Sequence, residues 1–435
     1  MKNYRLLVPI VLALLLVVSW YRLISAKAES NEEYNAYITQ AREYAEKGIT
    51  KYALNYYNLA LEARPSVDLY VEVAQYYKAQ DKPKEFLSWA ELALSNYPTD
   101  AKAYDCALEA YMLAEDYELC YDIIEMAMKR GVSSSYLTKI ENQIQYYYCL
   151  DFNTYDDVGN YSNNYCAVMD EEKWGFVDRY GELRVSCRYP IVGAYTKSNF
   201  VSVVNKDGEA YFIDKSGSKV LVFDKKYVEF GLLADDMIAA KTDEGTYEYI
   251  KQDGTVLLKG FEYASTMNGG VATIVEDGKW YLINTEGKKI TEQAFESVVL
   301  DEKNIVQRNG RIFVKNSDNK YIMLDSEGKQ IGKETYEDAK LFSSSSYAAV
   351  KVDGQWAFID KDGKYLSNKR YEDARSFNNG LAAVKINGKW GFVDEKEELC
   401  IDAIYDGAKD FNEKGSCFVK IGDTWKLLKI YRLNR

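Results

Sequence analysis

A six-residue pattern recurs through the C-terminal part of the chain and restricts the folds that it can adopt. Its clearest copies are Lys173–Asp178 and Lys389–Asp394, which are identical (KWGFVD), and Gln355–Asp360 is close to them. Eight copies follow one another at spacings of 33 to 41 residues, centred on Trp174, Ala210, Tyr247, Trp280, Tyr321, Trp356, Trp390 and Trp425. A repeat of this length is typical of proteins that stack one supersecondary unit many times.

The repeats alternate apolar and polar residues, as β-strands do. In the seventh copy, Leu381–Ile386 and Lys389–Asp394 flank the pair Asn387-Gly388, which predicts a tight hairpin. A second turn carries glycine in six copies, whereas Glu397 replaces it in the seventh. Because glycine accepts a positive φ at little cost, the Glu397 turn must differ or be strained.

Residues 151–435 therefore form an all-β array of eight units. A period near 35 residues accommodates three or four short strands, which could close into a β-propeller-like ring or wind as an open β-solenoid. We favour the ring because it exposes no long sheet edge. The longer spacing between Trp280 and Tyr321 predicts an insertion at about residues 301–319.

Each repeat opens with an aromatic residue, and acidic residues often follow it. The clearest openings are Tyr336–Ala339 and Tyr371–Ala374, both of sequence YEDA. A ring of repeats would place these acids on one face, where they would attract a basic partner. The candidate partner-binding acids are Asp156, Asp157, Glu337, Asp338, Glu372 and Asp373.

These motifs resemble the bacterial WG-repeat family, which is named for its Trp-Gly pair. The resemblance covers about residues 155–430 and is closest in the first, sixth and seventh copies. It implies a β-rich repeat array that is often attached to other modules, and it implies no catalytic residues. We interpret the tryptophans as repeat core rather than as a ligand-stacking platform, because buried aromatics stabilise small repeats. These core positions are Trp174, Trp280, Trp356, Trp390 and Trp425.

The preceding segment, residues 30–150, has small and aromatic residues at helical spacing. Pro65 and Pro98 lie 33 residues apart and close similar units. The segment resembles the tetratricopeptide family, whose repeat is a helix hairpin of about 34 residues. The resemblance implies an α-solenoid of about three hairpins with a groove for a peptide or partner helix. Ile38 and Arg42 stand where some members carry a carboxylate clamp, so we expect no such clamp.

Residues 1–28 are predicted to be a membrane anchor or, alternatively, a cleaved signal peptide. Leu6–Tyr21 is uncharged and ends in aromatic residues, as expected of a membrane helix. Ala26–Ala28 instead has the small-x-small pattern of a cleavage site. The positive charges of Lys2 and Arg5 predict a single-pass protein whose body lies outside the cytoplasm.

The composition argues against several kinds of site. The chain has no histidine, which removes the commonest general base, the usual catalytic triads and His-containing zinc sites. Its seven cysteines include no CxxC pair, and we interpret them as buried thiols. A net charge of −12 disfavours nucleic acid and favours basic partners. We therefore predict no catalytic, metal or cofactor-binding residues.

Together these features predict a membrane-tethered, non-enzymatic scaffold or binding protein that mediates protein–protein interaction through its helical and β repeats. One alternative is a receptor for cell-envelope glycan. Another is a glycan hydrolase, which needs two carboxylates across a cleft. Neighbouring acids on a strand point to opposite faces, so such an enzyme would have to combine acids from two repeats.

Overall fold

The computed structural model describes residues 31–431, and the chain divides into two compact units between Tyr147 and Tyr148. The predicted anchor or signal peptide, residues 1–28, lies outside the described residues. Within residues 31–431, no helix has both the length and the apolar character needed to cross a bilayer.

The first unit is a series of helices joined by short loops. Side chains of Ser66, Asp100, Asp116 and Ser134 accept backbone N–H groups at the starts of four of them, which satisfies donors that a helix leaves free. In the described part of the chain these helices are α1 (residues 31–46), α2 (Thr50–Ala63), α3 (Val67–Ala79), α4 (Pro83–Asn96), α5 (Ala101–Leu113), α6 (Tyr117–Lys129) and α7 (Ser135–Gln143).

Consecutive helices pack in pairs, consistent with three hairpins followed by α7. Small residues lie at the contacts, since Ala53 and Ala60 of α2 and Ala90 of α4 are fully buried. Residues 134–150 follow the third predicted hairpin, and their sequence predicts a capping helix, but the observed helix α7 is shorter than this range. It ends at Gln143 because Tyr148 already belongs to a β-strand.

The second unit contains eight antiparallel sheets, which we call blades 1 to 8. It begins with β1 (Tyr148–Tyr155). Blade 1 comprises β2 (Asp157–Val158), β3 (Tyr165–Asp170), β4 (Lys173–Asp178) and β5 (Leu183–Tyr189), and blade 2 comprises β6 (Ile191–Val192), β7 (Val201–Val204), β8 (Ala210–Ile213) and β9 (Lys219–Leu221). Blade 3 comprises β10 (Tyr227–Phe230), β11 (Ile238–Thr242), β12 (Tyr247–Ile250) and β13 (Val256–Phe261), and blade 4 comprises β14 (Tyr263–Ala264), β15 (Val271–Glu276) and β16 (Lys279–Asn284).

Blades 5 to 8 follow the same order. Blade 5 comprises β17 (Ser297–Val298), β18 (Gln307–Arg308), β19 (Arg311–Lys315), β20 (Tyr321–Asp325) and β21 (Gln330–Tyr336), and blade 6 comprises β22 (Asp338–Ala339), β23 (Ala348–Val352) and β24 (Gln355–Ile359). Blade 7 comprises β25 (Asp373–Ala374), β26 (Leu381–Ile386), β27 (Lys389–Asp394) and β28 (Leu399–Tyr405), and blade 8 comprises β29 (Gly407–Ala408), β30 (Ser416–Ile421) and β31 (Thr424–Ile430). In blades 4 and 6, isolated bridges replace the fourth strand.

The first strand of the unit completes its last blade. β1 pairs antiparallel with β31, from Tyr148 opposite Ile430 to Tyr155 opposite Trp425. Eight blades therefore close into a ring of the β-propeller type, as predicted, and the alternative of an open solenoid is wrong. The closure protects the edge of β31, which would otherwise remain unpaired.

In seven of the eight repeats, the residue at the tryptophan position pairs with the opening aromatic of the next repeat on the adjacent strand, and Ala210 of the second repeat is the exception. Trp174 pairs with Tyr189, and Trp390 pairs with Tyr405. The opening aromatic thus ends the outermost strand of one blade, and the acids after it lead to the innermost strand of the next. Cross-strand aromatic pairs of this kind stabilise a sheet, which accounts for the regular spacing of the two positions.

The turn at Glu397 has the same geometry as its glycine counterparts. The Glu397 N–H donates to the Asp394 carbonyl over 2.8 Å, as the Gly181 N–H does to the Asp178 carbonyl over 3.0 Å. Glu397 also has a positive φ of 58°, which is unfavourable for a residue with a Cβ. The sequence predicted that this turn either differs from the glycine turns or is strained. It has the same geometry, so it is strained at Glu397.

The insertion in the fifth repeat lies between β17 and β19. It includes residues 299–306, which we call the blade-5 loop, and the extra strand β18. The hairpin of β19 and β20 has the ordinary length, so the insertion ends before Arg311 rather than extending to residue 319 as predicted.

Candidate functional site

The loops of the ring alternate between its two ends, because consecutive strands are antiparallel. The lower end carries the connections between blades and the hairpins between the second and third strands. The upper end carries the loops between the first and second strands and the turns such as that at Glu397. The acidic openings lie at the lower end, and the blade-5 loop lies at the upper end.

The first acid of each opening pair binds the hairpin turn of its own blade. A turn N–H donates to its carboxylate, which fixes the turn against the connection between blades. The donor and acceptor residues are Glu171 and Asp156 (3.0 Å), Gly278 and Glu262 (3.2 Å), Gly354 and Glu337 (3.0 Å), Gly388 and Glu372 (2.9 Å), and Gly422 and Asp406 (2.8 Å). These carboxylates therefore have a structural partner within the repeat.

The second acid of each pair is in a different situation. Asp157, Asp338 and Asp373 each accept the N–H of the next residue over 2.8 Å. Asp373 also forms an ion pair with Lys340 of the preceding blade at 3.1 Å. Within residues 31–431, Asp157 and Asp338 have no cationic partner, and Asp338 is exposed. The structure thus separates the six predicted acids into two sets.

The tryptophans pack beside the opening aromatics. Trp356 is buried, whereas Trp174, Trp280, Trp390 and Trp425 are half-buried. Two of them also lie under lysine side chains, with Lys340 Nζ at 4.5 Å from the Trp356 ring and Lys409 Nζ at 5.4 Å from the Trp425 ring. The indole rings of Trp356 and Trp425 are therefore partly covered by lysine side chains.

The glycine of the Trp-Gly pair has a steric role that the sequence did not reveal. A Cβ on Gly175 would lie 2.4 Å from the Val185 carbonyl oxygen, and one on Gly391 would lie 2.6 Å from that of Ile401. At both places the outermost strand changes register and approaches the third strand closely. Only glycine leaves room for that approach.

A charged cluster at the upper end joins four blades. Glu302 of the blade-5 loop accepts the N–H of Asn160 in blade 1 over 3.0 Å. The same carboxylate lies 3.5 Å from the guanidinium of Arg375 in blade 7 and 3.5 Å from Lys409 Nζ in blade 8. The blade-5 loop therefore reaches across the ring axis to the opposite blades.

Arg375 is also held by a partner other than Glu302. Asp410 accepts two hydrogen bonds from Arg375, of 2.6 and 3.0 Å. Asn160 donates to the Asp410 carboxylate over 3.2 Å and accepts the Asp410 N–H over 3.2 Å. The side chains of Arg375 and Lys409 are only 23% and 17% exposed. Sequence reasoning missed this cluster because its residues are far apart in the chain.

The blade-5 loop is attached mainly to blade 4. Thr266 donates its N–H to the Asn304 carbonyl and its hydroxyl to the Lys303 carbonyl, both over 2.8 Å. Burial lowers the pKa of Lys303, and the nearby Arg308 guanidinium lowers that pKa further. The loop thus carries a buried ammonium group as well as the Glu302 carboxylate.

A cavity of about 120 Å³ lies beside the loop, between it and blades 2 and 3. Its lining includes Ile191, Ser202, Glu229 and Lys303. Ile191 and Glu229 occupy the repeat position of Asp157 and Asp338. In blades 2 and 3, the residue at this repeat position therefore lines the cavity.

The groove residues of the helical unit are already paired. Ile38 is buried, and Arg42 donates to both carboxylate oxygens of Glu72 over 2.7 and 2.8 Å. Lys78 forms an ion pair with Glu109 at 2.5 Å. Ion pairs thus link successive hairpins at the positions where a carboxylate clamp would lie.

The reactive side chains do not converge on one place. Within residues 31–431, no three Cys, Asp or Glu side chains are arranged to hold a metal ion. Burial raises the pKa of Cys106 and Cys120 to about 12. The interpretation of every cysteine as buried is wrong for Cys149, which is exposed on the outermost strand of blade 8.

Several solved structures align with this chain at low identity. BamB from Moraxella catarrhalis aligns over 66% of this chain and 99% of its own, with 10% identity and a TM-score of 0.44. Sqt1 from Saccharomyces cerevisiae aligns over 65% and 97%, with 12% identity and a TM-score of 0.41. No curated protein matches the chain. The eight-bladed architecture therefore rests on the strand pairing described above.

The family comparison agrees with the strand pattern. The model described as "WG containing repeat" matches residues 150–174, 249–280, 324–356, 356–390 and 390–425. These segments fall in both halves of the ring, and each of them ends at one of the five tryptophans Trp174, Trp280, Trp356, Trp390 and Trp425. The chain therefore belongs to the family of WG-repeat proteins.

Proposed function

We propose that this protein is a membrane-tethered scaffold that binds protein partners without catalysing a reaction. The observation that carries the proposal is the pair of carboxylates at equivalent positions of blades 1 and 6. Asp157 and Asp338 have no cationic partner in residues 31–431, whereas Glu337 and Glu372 hold hairpin turns. Carboxylates that have no cationic partner, on a strongly acidic chain, attract a lysine- or arginine-rich surface.

The tether and the orientation are supported by the sequence of residues 1–28. The uncharged segment Leu6–Tyr21, between Arg5 and Arg22, would hold the repeats close to a membrane with the body outside the cytoplasm. Removal of residues 2–28 should then release the protein from the membrane fraction. Protease added to intact cells should digest the full-length protein, and protection from that protease would contradict the orientation.

The partner surface is tested by neutralising only the free acids. The double variant Asp157→Asn, Asp338→Asn keeps the shape of both side chains and leaves the hairpin turns intact. Detergent-solubilised membrane proteins that are retained by the immobilised wild-type chain should be released as the salt concentration rises. The double variant should retain less of the same proteins.

A matched control removes the same charge from the opposite end of the ring. Glu286 and Glu327 are exposed residues of upper-end turns, and their double change to glutamine should leave retention unaltered. Equal retention by both double variants would overturn the proposal. Retention of envelope polymer in place of protein would favour the glycan receptor, and turnover of that polymer would favour the hydrolase.

A further inference from the structure

The upper end of the ring contains a second site, which carries cations. It would attract negative charge, whereas the lower-end acids would attract positive charge. Arg375 and Lys409 contribute two positive charges, and Asp410 contributes one negative charge. The Glu302 carboxylate makes this group neutral. Without Glu302, one positive charge would remain uncompensated on side chains that are mostly buried, which is costly unless an anion replaces it.

Within residues 31–431, three parts of this site are held without Glu302, and the fourth, Lys409, then has only the Trp425 ring beside its ammonium group. Arg375 is oriented by its two hydrogen bonds to Asp410, and Asp410 is fixed to Asn160 by two further bonds. The Asn160 N–H, which now donates to Glu302 over 3.0 Å, would be free to donate to another acceptor. One N–H and two cations converging on a single point are suited to a carboxylate.

The contacts of Glu302 with the cations are long. Both ion pairs measure 3.5 Å, whereas Arg375 lies 2.6 Å from Asp410. The carboxylate is also 42% exposed, so its attraction to the cations is weakened by solvent. Glu302 is therefore held less tightly than Asp410 by the Arg375 guanidinium.

The loop that carries Glu302 has room to move. Its attachment to the rest of the ring includes the two hydrogen bonds from Thr266. The cavity of about 120 Å³ lies directly beside Glu302, Lys303 and Asn304. A shift of the loop tip into this space would withdraw Glu302 without disturbing the strands.

We propose that Asn160, Arg375 and Lys409 form a carboxylate-binding site for an acidic segment of a partner protein, and that Glu302 occupies it as an internal competitor. The present occupant is a glutamate on a polypeptide loop, so the site accommodates a carboxylate presented by a polypeptide. The proposal does not depend on the lower-end acids, and its test does not require the native partner.

The test measures binding of a fluorescent, N-acetylated hexaglutamate peptide to the full-length protein at low chloride. Glu302→Ala should bind the peptide about tenfold more tightly than the wild type, as expected for charged hydrogen bonds no longer blocked by a competitor. Adding Lys409→Gln to Glu302→Ala should remove the gain. Glu286→Ala, which removes a surface carboxylate outside the cluster, should bind like the wild type.

Thr266→Val provides a second variant in which Glu302 is retained. It removes the hydroxyl bond to the loop and should raise peptide affinity in the same direction, by a smaller factor. Equal affinity of the wild type, Glu302→Ala and Thr266→Val, with unchanged circular dichroism, would overturn the proposal. Binding of free glutarate but not of the peptide would overturn the assignment to a polypeptide ligand.

Discussion

Gly391 lies so close to Ile401 that a Cβ on the glycine would approach the Ile401 carbonyl oxygen to 2.6 Å. The neighbouring strand cannot withdraw freely, because Trp390 and Phe392 both pair with β28 on either side of the contact. This contact, which recurs at Gly175, explains in steric terms why glycine follows tryptophan in the first and seventh repeats.

Gly391→Ala should therefore destabilise the β unit by about 2–3 kcal/mol, since the added methyl group forces the strands apart. Urea unfolding followed by tryptophan fluorescence measures the change. Gly159→Ala is the matched control, because its Cβ would meet Ala167 at an ordinary 3.6 Å. A cost at Gly391 no greater than at Gly159 would contradict the steric explanation.

Replacing Glu397 tests the strain in the seventh turn. Glu397→Gly should be more stable than Glu397→Ala by about 1 kcal/mol, because both lose the side chain and only glycine relieves the positive φ. The comparison cancels the loss of the hydrogen bond that Tyr371 donates to Glu397. Denaturant unfolding of the two variants gives the difference directly, and equal stabilities would argue against backbone strain.

The two sets of acids should differ in their effect on stability. Glu372→Ala leaves the Gly388 N–H without its acceptor and should cost about 1 kcal/mol. Asp338→Asn keeps a side-chain oxygen for the Ala339 N–H and should change the unfolding free energy by less than about 0.5 kcal/mol. Equal costs in denaturant unfolding would show that the proposed division of the acids is mistaken.

Alkaline pH should destabilise the ring through its buried tyrosines. Burial, together with the nearby Cys187 thiolate and Asp151 carboxylate, raises the pKa of Tyr155 from 10.0 to about 12. Because the folded-state pKa is the higher one, the stabilising contribution is complete below pH 10 and is lost as pH rises towards about 12.

Tyr155→Phe removes this titrating group. Its unfolding free energy should fall less steeply than that of the wild type between pH 10 and 12. Denaturant unfolding at several pH values, together with tyrosinate absorbance of the folded protein, checks the prediction. Tyr180→Phe, at an exposed tyrosine, is the control. Identical slopes for the wild type and Tyr155→Phe would contradict the assignment.

Much of the fold could be predicted because the repeat carries local signals. Asn387-Gly388 marks its hairpin directly in the sequence, and the spacing of the tryptophans gives the number of blades. The position of β1 was not predicted, since Cys149 and Leu150 have no repeat motif and their partners lie near the opposite end of the chain. The same limitation applies to α7, whose predicted end overlapped that strand.

The sites were less predictable than the fold. Adjacent acids such as Glu337 and Asp338 look equivalent in the sequence, and only the hydrogen bond from Gly354 to Glu337 separates their roles. The Glu302 cluster depends on contacts between residues up to 250 positions apart, so no local pattern reveals it. The unusual spacing before Tyr321 was the one sequence signal that pointed to this loop.

The pairing of β1 with β31 also has a consequence for how the protein forms. Tyr148 leaves the ribosome long before Ile430, its partner in the closed ring. The ring therefore cannot close during most of synthesis, and contacts between such distant residues make folding slow. Through this interval β1 presents an unpaired edge to other chains, so the nascent protein should depend on a chaperone until its final strand emerges.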